Sequence, residues 1–321
     1  MGKEEMDAFA INEVVSALTK IENLTLERNV SVAHLTRFQA GGNADILVHP
    51  HTSESAIELI RVVQKSRLPL TVIGCATNIL VSDRGIRGVT CRLFPGLGGL
   101  RRDGNSLFCQ AGVSLSDVAA FAARHSLGGV EFAGGIPGSV GGAIFMNAGA
   151  FGGSMSDVVH RTTFIDGDGC LREVVGEEHD FGYRHSLFVG LEGSVILETE
   201  LRLEFADLPF IYDKMAENAY RRYKSQPLDA YSAGSAFRRP EGYFAGKLIS
   251  DAGMKGYRRG NAGVSSKHAG FIVNHGGATA EEIVQIFRDV RTAVYDMEGV
   301  ILMPEVRLVG EWDDDPFAFE S

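Results

Sequence analysis

The chain has 321 residues, with 31 Lys plus Arg against 41 Asp plus Glu, a formal charge of -10, and 45% hydrophobic and 22% charged residues. That length supports a substantial core and two or three domains, and the acidic balance argues against a nucleic-acid scaffold while leaving room for a locally basic anion site. The 39 glycines exceed the usual share of about 7% and point to many close backbone approaches.

The opening residues are acidic, with no continuous apolar run, so neither a signal peptide nor an anchor is expected there. An amphipathic segment over roughly residues 7–20 leads into the strand-like run Leu35 to Val48, interrupted by Gly41-Gly42. Ser53 is the expected N-cap of a helix carrying Ile57, Ile60 and Val63 at helical spacing. Leu70-Thr71-Val72-Ile73 then reads as a short strand feeding the loop Gly74-Cys75-Ala76-Thr77-Asn78, which completes a βαβ pattern. Short strands over 84–112 precede a helix that starts at Ser114 and Asp117 and reaches about Ser126. After a glycine-dense stretch, residues 158–204 are again strand-like around the turn Asp166-Gly167-Asp168-Gly169. A further unit opens near Pro209 with a helix over about 211–225 that stops at Pro227. The helix of about 279–298 has a capping box, Thr279 with Glu282, an apolar face of Ile283, Ile286, Val290 and Val294, and Gly299 as its stop. The residues after 310 read as a solvated acidic tail.

Cys75, Cys91, Cys109 and Cys170 show neither CxxC spacing nor a companion His at ligand intervals, so no metal site and no redox dithiol is expected, and a reducing compartment is the default. Two glycine-rich loops, 74–78 and 134–142, adjoin strands, and backbone amides free of side-chain bulk are what a diphosphate needs; each loop alone fits tight-turn packing equally well. GxGxxG after a first strand is absent, and Gly242-Tyr243-Phe244-Ala245-Gly246-Lys247 is one spacer residue short of a P-loop. Arg184, a permanent cation in an aromatic loop, suits a developing carboxylate or enolate, or a structural ion pair. Ser235, between Gly234 and Ala236, presents a hydroxyl to a ligand or serves a turn. Glu305 begins a strand-like run where burial would favour its neutral acid form, unless it is an exposed strand end. His268 precedes an apolar strand and also fits a satisfied loop histidine.

Taken in order, these residues carry a resemblance. Gly41-Gly42-Asn43-Ala44, the loop ending in Asn78, Gly135 through Ala143 with Met146-Asn147-Ala148-Gly149, Tyr183-Arg184, Ser232-Ala233-Gly234-Ser235-Ala236-Phe237, Lys267-His268-Ala269 and Pro304-Glu305-Val306 resemble the UDP-N-acetylenolpyruvoylglucosamine reductase family over about residues 35–310. About 20 residues separate Phe188 from Pro209, similar to the shorter branch of the family. The resemblance implies an α+β chain with a vanillyl-alcohol-oxidase-type FAD-binding fold, with FAD-binding subdomains at 1–93 and 94–207, a substrate-binding α+β domain at 208–310 and an acidic tail at 311–321. It further implies a cytoplasmic monomer of peptidoglycan precursor synthesis, without nucleic-acid or membrane partners. NADPH would reduce FAD, which would pass hydride to C3 of the enolpyruvyl group of the UDP-sugar.

By matching motif, Ser235 would be the general acid at C2, with Arg184 and Glu305 stabilising the enolate. Gly74, Cys75, Ala76, Thr77, Asn78, Gly135, Pro137, Gly138, Ser139, Gly141, Gly142, Asn147, Ala148 and Gly149 would bind the cofactor, and Tyr183, Arg239, Lys267 and His268 the substrate. The first loop departs from the family's glycine run at Cys75 and Ala76, which would be strained if they need positive φ. Asn261, Gly263 and Gly270 also depart from the family's residue types around the Lys-His element.

Overall fold

The apolar spacing after Pro50 produces the helix Ser53–Ser66 in the computed structural model, which describes residues 3–66 and 68–318. Its inner face buries Ala56, Leu59, Ile60 and Val63. The cap falls one residue before the expected Ser53. The Ser55 amide donates to Thr52 Oγ1 at 3.1 Å and the Thr52 amide donates to Ser55 Oγ at 3.1 Å, so Thr52 and Ser55 satisfy each other's backbone donors in the manner of a capping box.

This helix connects the strand Asn43–Pro50 to the strand Leu70–Ile73, but the two are not neighbours in their sheet. The order is Leu24–Ser31, Asn43–Pro50, Ile86–Arg92, Leu70–Ile73. Leu70–Ile73 runs parallel to Ile86–Arg92 with Ile73 opposite Arg92. Loop 74–78 therefore leaves the sheet beside Arg92, at the carboxyl ends of two parallel strands, where open α/β sheets carry their ligands. A second, antiparallel sheet has the order Leu171–Val175, Val159–Ile165, Val195–Arg202, Ser106–Gln110, Leu100–Asp103. The helix Leu115–Arg124 starts as its sequence predicts, the Asp117 amide donating to Ser114 Oγ at 3.0 Å.

The chain forms two compact units: the described residues within 1–28, 46–75 and 88–221, and those within 29–45, 76–87 and 222–318. The first has a core running from Val14 through Ile46, Leu59, Val118 and Ile144 to Leu203. The second packs Phe38, Leu80, Phe237, Ile249, Phe287 and Val306 around the helix Ala280–Glu298. That helix has the expected Thr279–Glu282 capping box and ends at Gly299 with φ 66. It gains a cap the local sequence does not announce, because Asp83 accepts from the amides of Ala280 at 2.8 Å and Glu281 at 3.1 Å. Charge-bearing acceptors at a helix start answer both the orphan amides and the macrodipole. Among the described residues no helix is long and apolar enough to cross a membrane.

Candidate functional site

In the first unit, the two glycine loops meet at Gly74 and Ser139. A Cβ built on Gly74 would lie 2.2 Å from Ser139 Oγ, so only glycine allows this approach. Ser139 is 1% exposed and its Oγ finds no hydrogen-bond partner. The Cys75 thiol is pushed up to about 11 by burial, against the pull of Arg92 and of the nearby Ser139 hydroxyl, which it does not reach in hydrogen-bond geometry. Cys75 is thus a neutral thiol at pH 7. Gly141 is glycine for packing: its amide donates to Ala111 O at 2.9 Å and a Cβ would lie 3.0 Å from Ala111 Cβ. Pro137 and Gly142 are exposed, Gly135 and Gly138 half-buried.

Asn147 is 8% exposed and left-handed at φ 42. Its Nδ2 donates to Gly182 O at 3.0 Å and its Oδ1 accepts from the Ser156 amide at 2.9 Å. Ala148 donates to Ala143 O at 2.8 Å, and Gly149 pairs with Ser154 where a Cβ would lie 2.7 Å from Gly153 O. Asn147 therefore ties the turn after the second glycine loop to the turn Gly182–His185, whose ends bond reciprocally, Gly182 to His185 O at 3.1 Å and His185 to Gly182 O at 3.2 Å. Tyr183 and Arg184 are the two tip residues. Arg184 is half-buried and left-handed at φ 55, with its guanidinium 5.1 Å from the Tyr183 ring. A left-handed arginine costs roughly 1–2 kcal/mol, and strain of this kind persists where surroundings enforce it.

In the second unit, Ala76 is left-handed at φ 52 whereas Cys75 is not, so the expected strain falls on one of the two departing residues. Thr77 is half-buried. Asn78 holds the run after Pro304: its Nδ2 donates to Glu305 O at 3.2 Å and its carbonyl accepts from the Arg307 amide at 3.1 Å, as Ile79–Val81 pairs in parallel with Arg307–Val309. The Glu305 amide donates to Ala236 O at 2.8 Å and Phe237 bridges Pro304. The carboxylate-bearing residue and the Ser235 loop are consequently neighbouring chains. Ser235 is exposed and bridges Phe271, while Ser232 Oγ donates to Ile272 O at 2.6 Å and Gly234 turns the loop at φ 88.

The other polar candidates are differently engaged. The Arg239 guanidinium lies 4.0 Å from the Phe244 ring and its Nε donates to Tyr243 O at 3.1 Å. Lys267 Nζ donates to Tyr223 O at 2.7 Å. His268 Nδ1 accepts from the Gly270 amide at 3.0 Å, and burial holds the ring's pKa below its usual value, with Lys255 adding to the effect. Gly270 lacks room for a Cβ, which would meet His268 Cε1 at 3.0 Å, and Gly263 lies in the same strand group with Tyr257 O 2.7 Å from its Cβ position. Both glycines thus have a packing reason. Arg92 and Thr90 escaped the sequence reading. They alternate along Ile86–Arg92 on one face of the strand, and Thr90 Oγ1 and Arg92 Nε are buried without partners. A charged residue closing an apolar strand was the available signal.

Known proteins are similar in sequence and in fold. A family model described as FAD binding domain matches residues 44–174, and one described as UDP-N-acetylenolpyruvoylglucosamine reductase, C-terminal domain, matches 226–309. UDP-N-acetylenolpyruvoylglucosamine reductase of Caldanaerobacter subterraneus subsp. tengcongensis is 44% identical over 276 residues, 86% of this chain and 91% of the relative. The protein of that name from Limosilactobacillus fermentum is 41% identical over 298 residues, 93% of this chain and 99% of the relative. The crystal structure of UDP-N-acetylenolpyruvylglucosamine reductase from Thermus caldophilus superimposes with a TM-score of 0.77 at 34% identity, covering 89% of this chain and 99% of that one.

Proposed function

The chain belongs to the UDP-N-acetylenolpyruvoylglucosamine reductase family, and from that membership we propose that it reduces the enolpyruvyl double bond of UDP-N-acetylenolpyruvoylglucosamine to UDP-N-acetylmuramate with NADPH, in peptidoglycan precursor synthesis. The observation that carries this reading is identity above 40% across nearly the full length of such reductases, with Ser235, Arg184 and Glu305 in place. The flavin loops fit the cofactor on the chemistry of one donor: the buried Ser139 hydroxyl, which only a glycine at 74 lets approach the first loop, lacks a partner among the described residues. On this reading 1–93 and 94–207 bind FAD, 208–310 binds the UDP-sugar, and the fold is of the vanillyl-alcohol-oxidase type in a cytoplasmic monomer.

FAD, when bound, supplies the hydride chemistry, accepting from NADPH and delivering to C3 of the enolpyruvyl group. The residues of this chain do the rest. Gly74, Ser139 and the backbone beside them hold the diphosphate, where donors fixed before binding are not reorganised by it. Arg184 and Glu305 would stabilise the charge that grows on the enolate and carboxylate as C3 takes the hydride; a donor aimed at such charge is worth roughly 3–4 kcal/mol. Ser235 Oγ gives its proton to C2 at contact distance and is reprotonated from solvent. A serine is a weak acid in water, but the acceptor is a carbanion-like carbon and the transfer is intramolecular once substrate is bound. Tyr183, Arg239, Lys267 and His268 grip the sugar nucleotide.

The test is an anaerobic visible spectrum. Protein as purified is expected to be yellow, to bleach with NADPH and to recover its colour on addition of the enolpyruvyl nucleotide. Bleaching without recovery would discard the substrate, and colourless protein would discard the flavin. Ser235→Ala should bleach at nearly the parent rate and recover slower by several orders of magnitude; recovery at the parent rate removes Ser235 as the acid.

A further inference from the structure

Arg92 closes the strand Ile86–Arg92 in parallel register with Ile73, the residue before loop 74–78. Among the described residues its guanidinium has no carboxylate partner; its neighbours are Cys75, His49 and the Phe94 ring at 5.6 Å. Its Nε is buried with no hydrogen-bond acceptor. His49 adds no charge at neutral pH, since burial first and Arg92 second hold its pKa below the usual value. Cys75, a neutral thiol, supplies none either. A half-buried cation whose Nε is shut off from both water and any acceptor, with no counter-charge beside it, is a costly arrangement that natural sequences keep when something outside the chain completes it. Two more buried groups without partners belong to the same part of the fold: Ser139 Oγ, beside Gly74 and Cys75, and Thr90 Oγ1, two residues before Arg92 on the same face. An NH donor and two hydroxyls with no carboxylate among them suit an anion that offers several acceptor oxygens.

All of these residues fall within 44–174, the stretch that matches the FAD binding domain. We propose that Arg92 is the charge partner of the FAD diphosphate, binding it with Ser139 beside Gly74. The proposal rests on reading 44–174 as the flavin site. It gives a role to the polar face of Thr90 and Arg92 on a strand whose opposite face, Val89 and Cys91, packs into the apolar core.

The experiment uses the full chain stripped of flavin and refilled, with dissociation constants measured by quenching of flavin fluorescence for FAD, FMN and riboflavin. Arg92→Met is expected to weaken FAD about 10- to 100-fold, the range for a lost charge-assisted contact, to weaken FMN less, and to leave riboflavin unchanged. The parent's loss of FAD affinity on raising salt should be shallower in the variant. Arg92→Lys keeps the charge without the fork geometry; it should recover part of the affinity and shift the 31P resonances of bound FAD relative to the parent. These two readouts stand even if Arg92→Met does not fold. Parent-like FAD affinity in Arg92→Met, or unshifted 31P resonances in Arg92→Lys, overturns the proposal. So does an unchanged FAD constant with a raised KM for NADPH or the sugar nucleotide, which would assign Arg92 to another diphosphate. A parent chain that takes up no flavin would instead overturn the reading of 44–174 itself.

Discussion

The loops around Gly74 and Ser139 differ from the loop 232–237 in how they treat their buried polar atoms. In the first, Ser139 Oγ and the neighbouring Arg92 Nε have no partner. In the second, Ser232 Oγ is bonded to Ile272 O, Ala236 is held on both backbone faces by Gly270 and Glu305, and Ser235, the proposed acid, is exposed. The physical lesson concerns residence time. A site for a cofactor that stays bound can leave donors buried for it, since the loaded form is the form that must be stable. A site that empties with every turnover must satisfy itself when vacant and hold its reactive group in water.

The sharpest break of that comparison is Gly74→Val, which drives a branched side chain into the position 2.2 Å from Ser139 Oγ. Purified protein should lack the 450 nm flavin band; a parent-like ratio of flavin to protein absorbance would take Gly74 out of the cradle. Next is Asn147→Ala, which removes the bonds to Gly182 O and the Ser156 amide that tether the Arg184 turn. With two bonds worth about 1 kcal/mol each, stopped-flow recovery of colour by the sugar nucleotide should slow by up to roughly 30-fold while reduction by NADPH and FAD content stay near parent values. Loss of FAD instead would place Asn147 at the cofactor, the role its motif implies.

Acid should act on both regions. Burial, the leading cause in each case, lowers the pKa of His49 and His179 in the first unit and of His268 and His275 in the second from 6.5. The folded chain thus prefers these rings neutral, and the unfolded chain takes up protons first. Their contribution is complete above pH 6.5 and declines as pH falls from 6.5 toward the lowered values, so Tm should drop between pH 7.5 and 5.5. His268→Asn, which keeps an acceptor for the Gly270 amide, should flatten that slope; an identical slope would clear His268. The smallest effect is Ala76→Gly. The left-handed position at φ 52 disfavours alanine by about 1–2 kcal/mol, offset in part by about 0.4–1 kcal/mol of glycine's freedom in the unfolded chain, so Tm should rise by a few degrees at most. A fall in Tm would show that the Ala76 methyl packs for more than its strain costs.

Some of this was legible locally. The N-cap at Ser114, the capping box at Thr279, the stop at Gly299 and the strand Leu70–Ile73 all lie where periodicity and cap residues put them, because those signals act within one turn of the chain. The helix after Pro50 was found, but its cap was not, since Thr52, Ser53 and Ser55 are chemically alike and only the bonds formed choose among them. The strand Leu24–Ser31 is more than half exposed residues, and its apolar alternation, Leu24, Leu26 and Val30, is broken at Arg28 and too short to stand out. Asn147 and Asn78 stood out as motif asparagines, yet their amides face Gly182 and Glu305, 35 and 227 positions away.

The sequence by itself determined the helices and their stops, the glycine loops, and the family-defining order of residues from Gly41 to Val306, because each depends on neighbours along the chain. Tertiary structure alone decided that Asp83 caps a helix beginning at Ala280, that Asn147 tethers the turn bearing Arg184, and that Arg92 closes its strand without a carboxylate partner among the described residues. Whether a polar group is satisfied depends on what the fold brings within about 3 Å of it, and no local pattern encodes that.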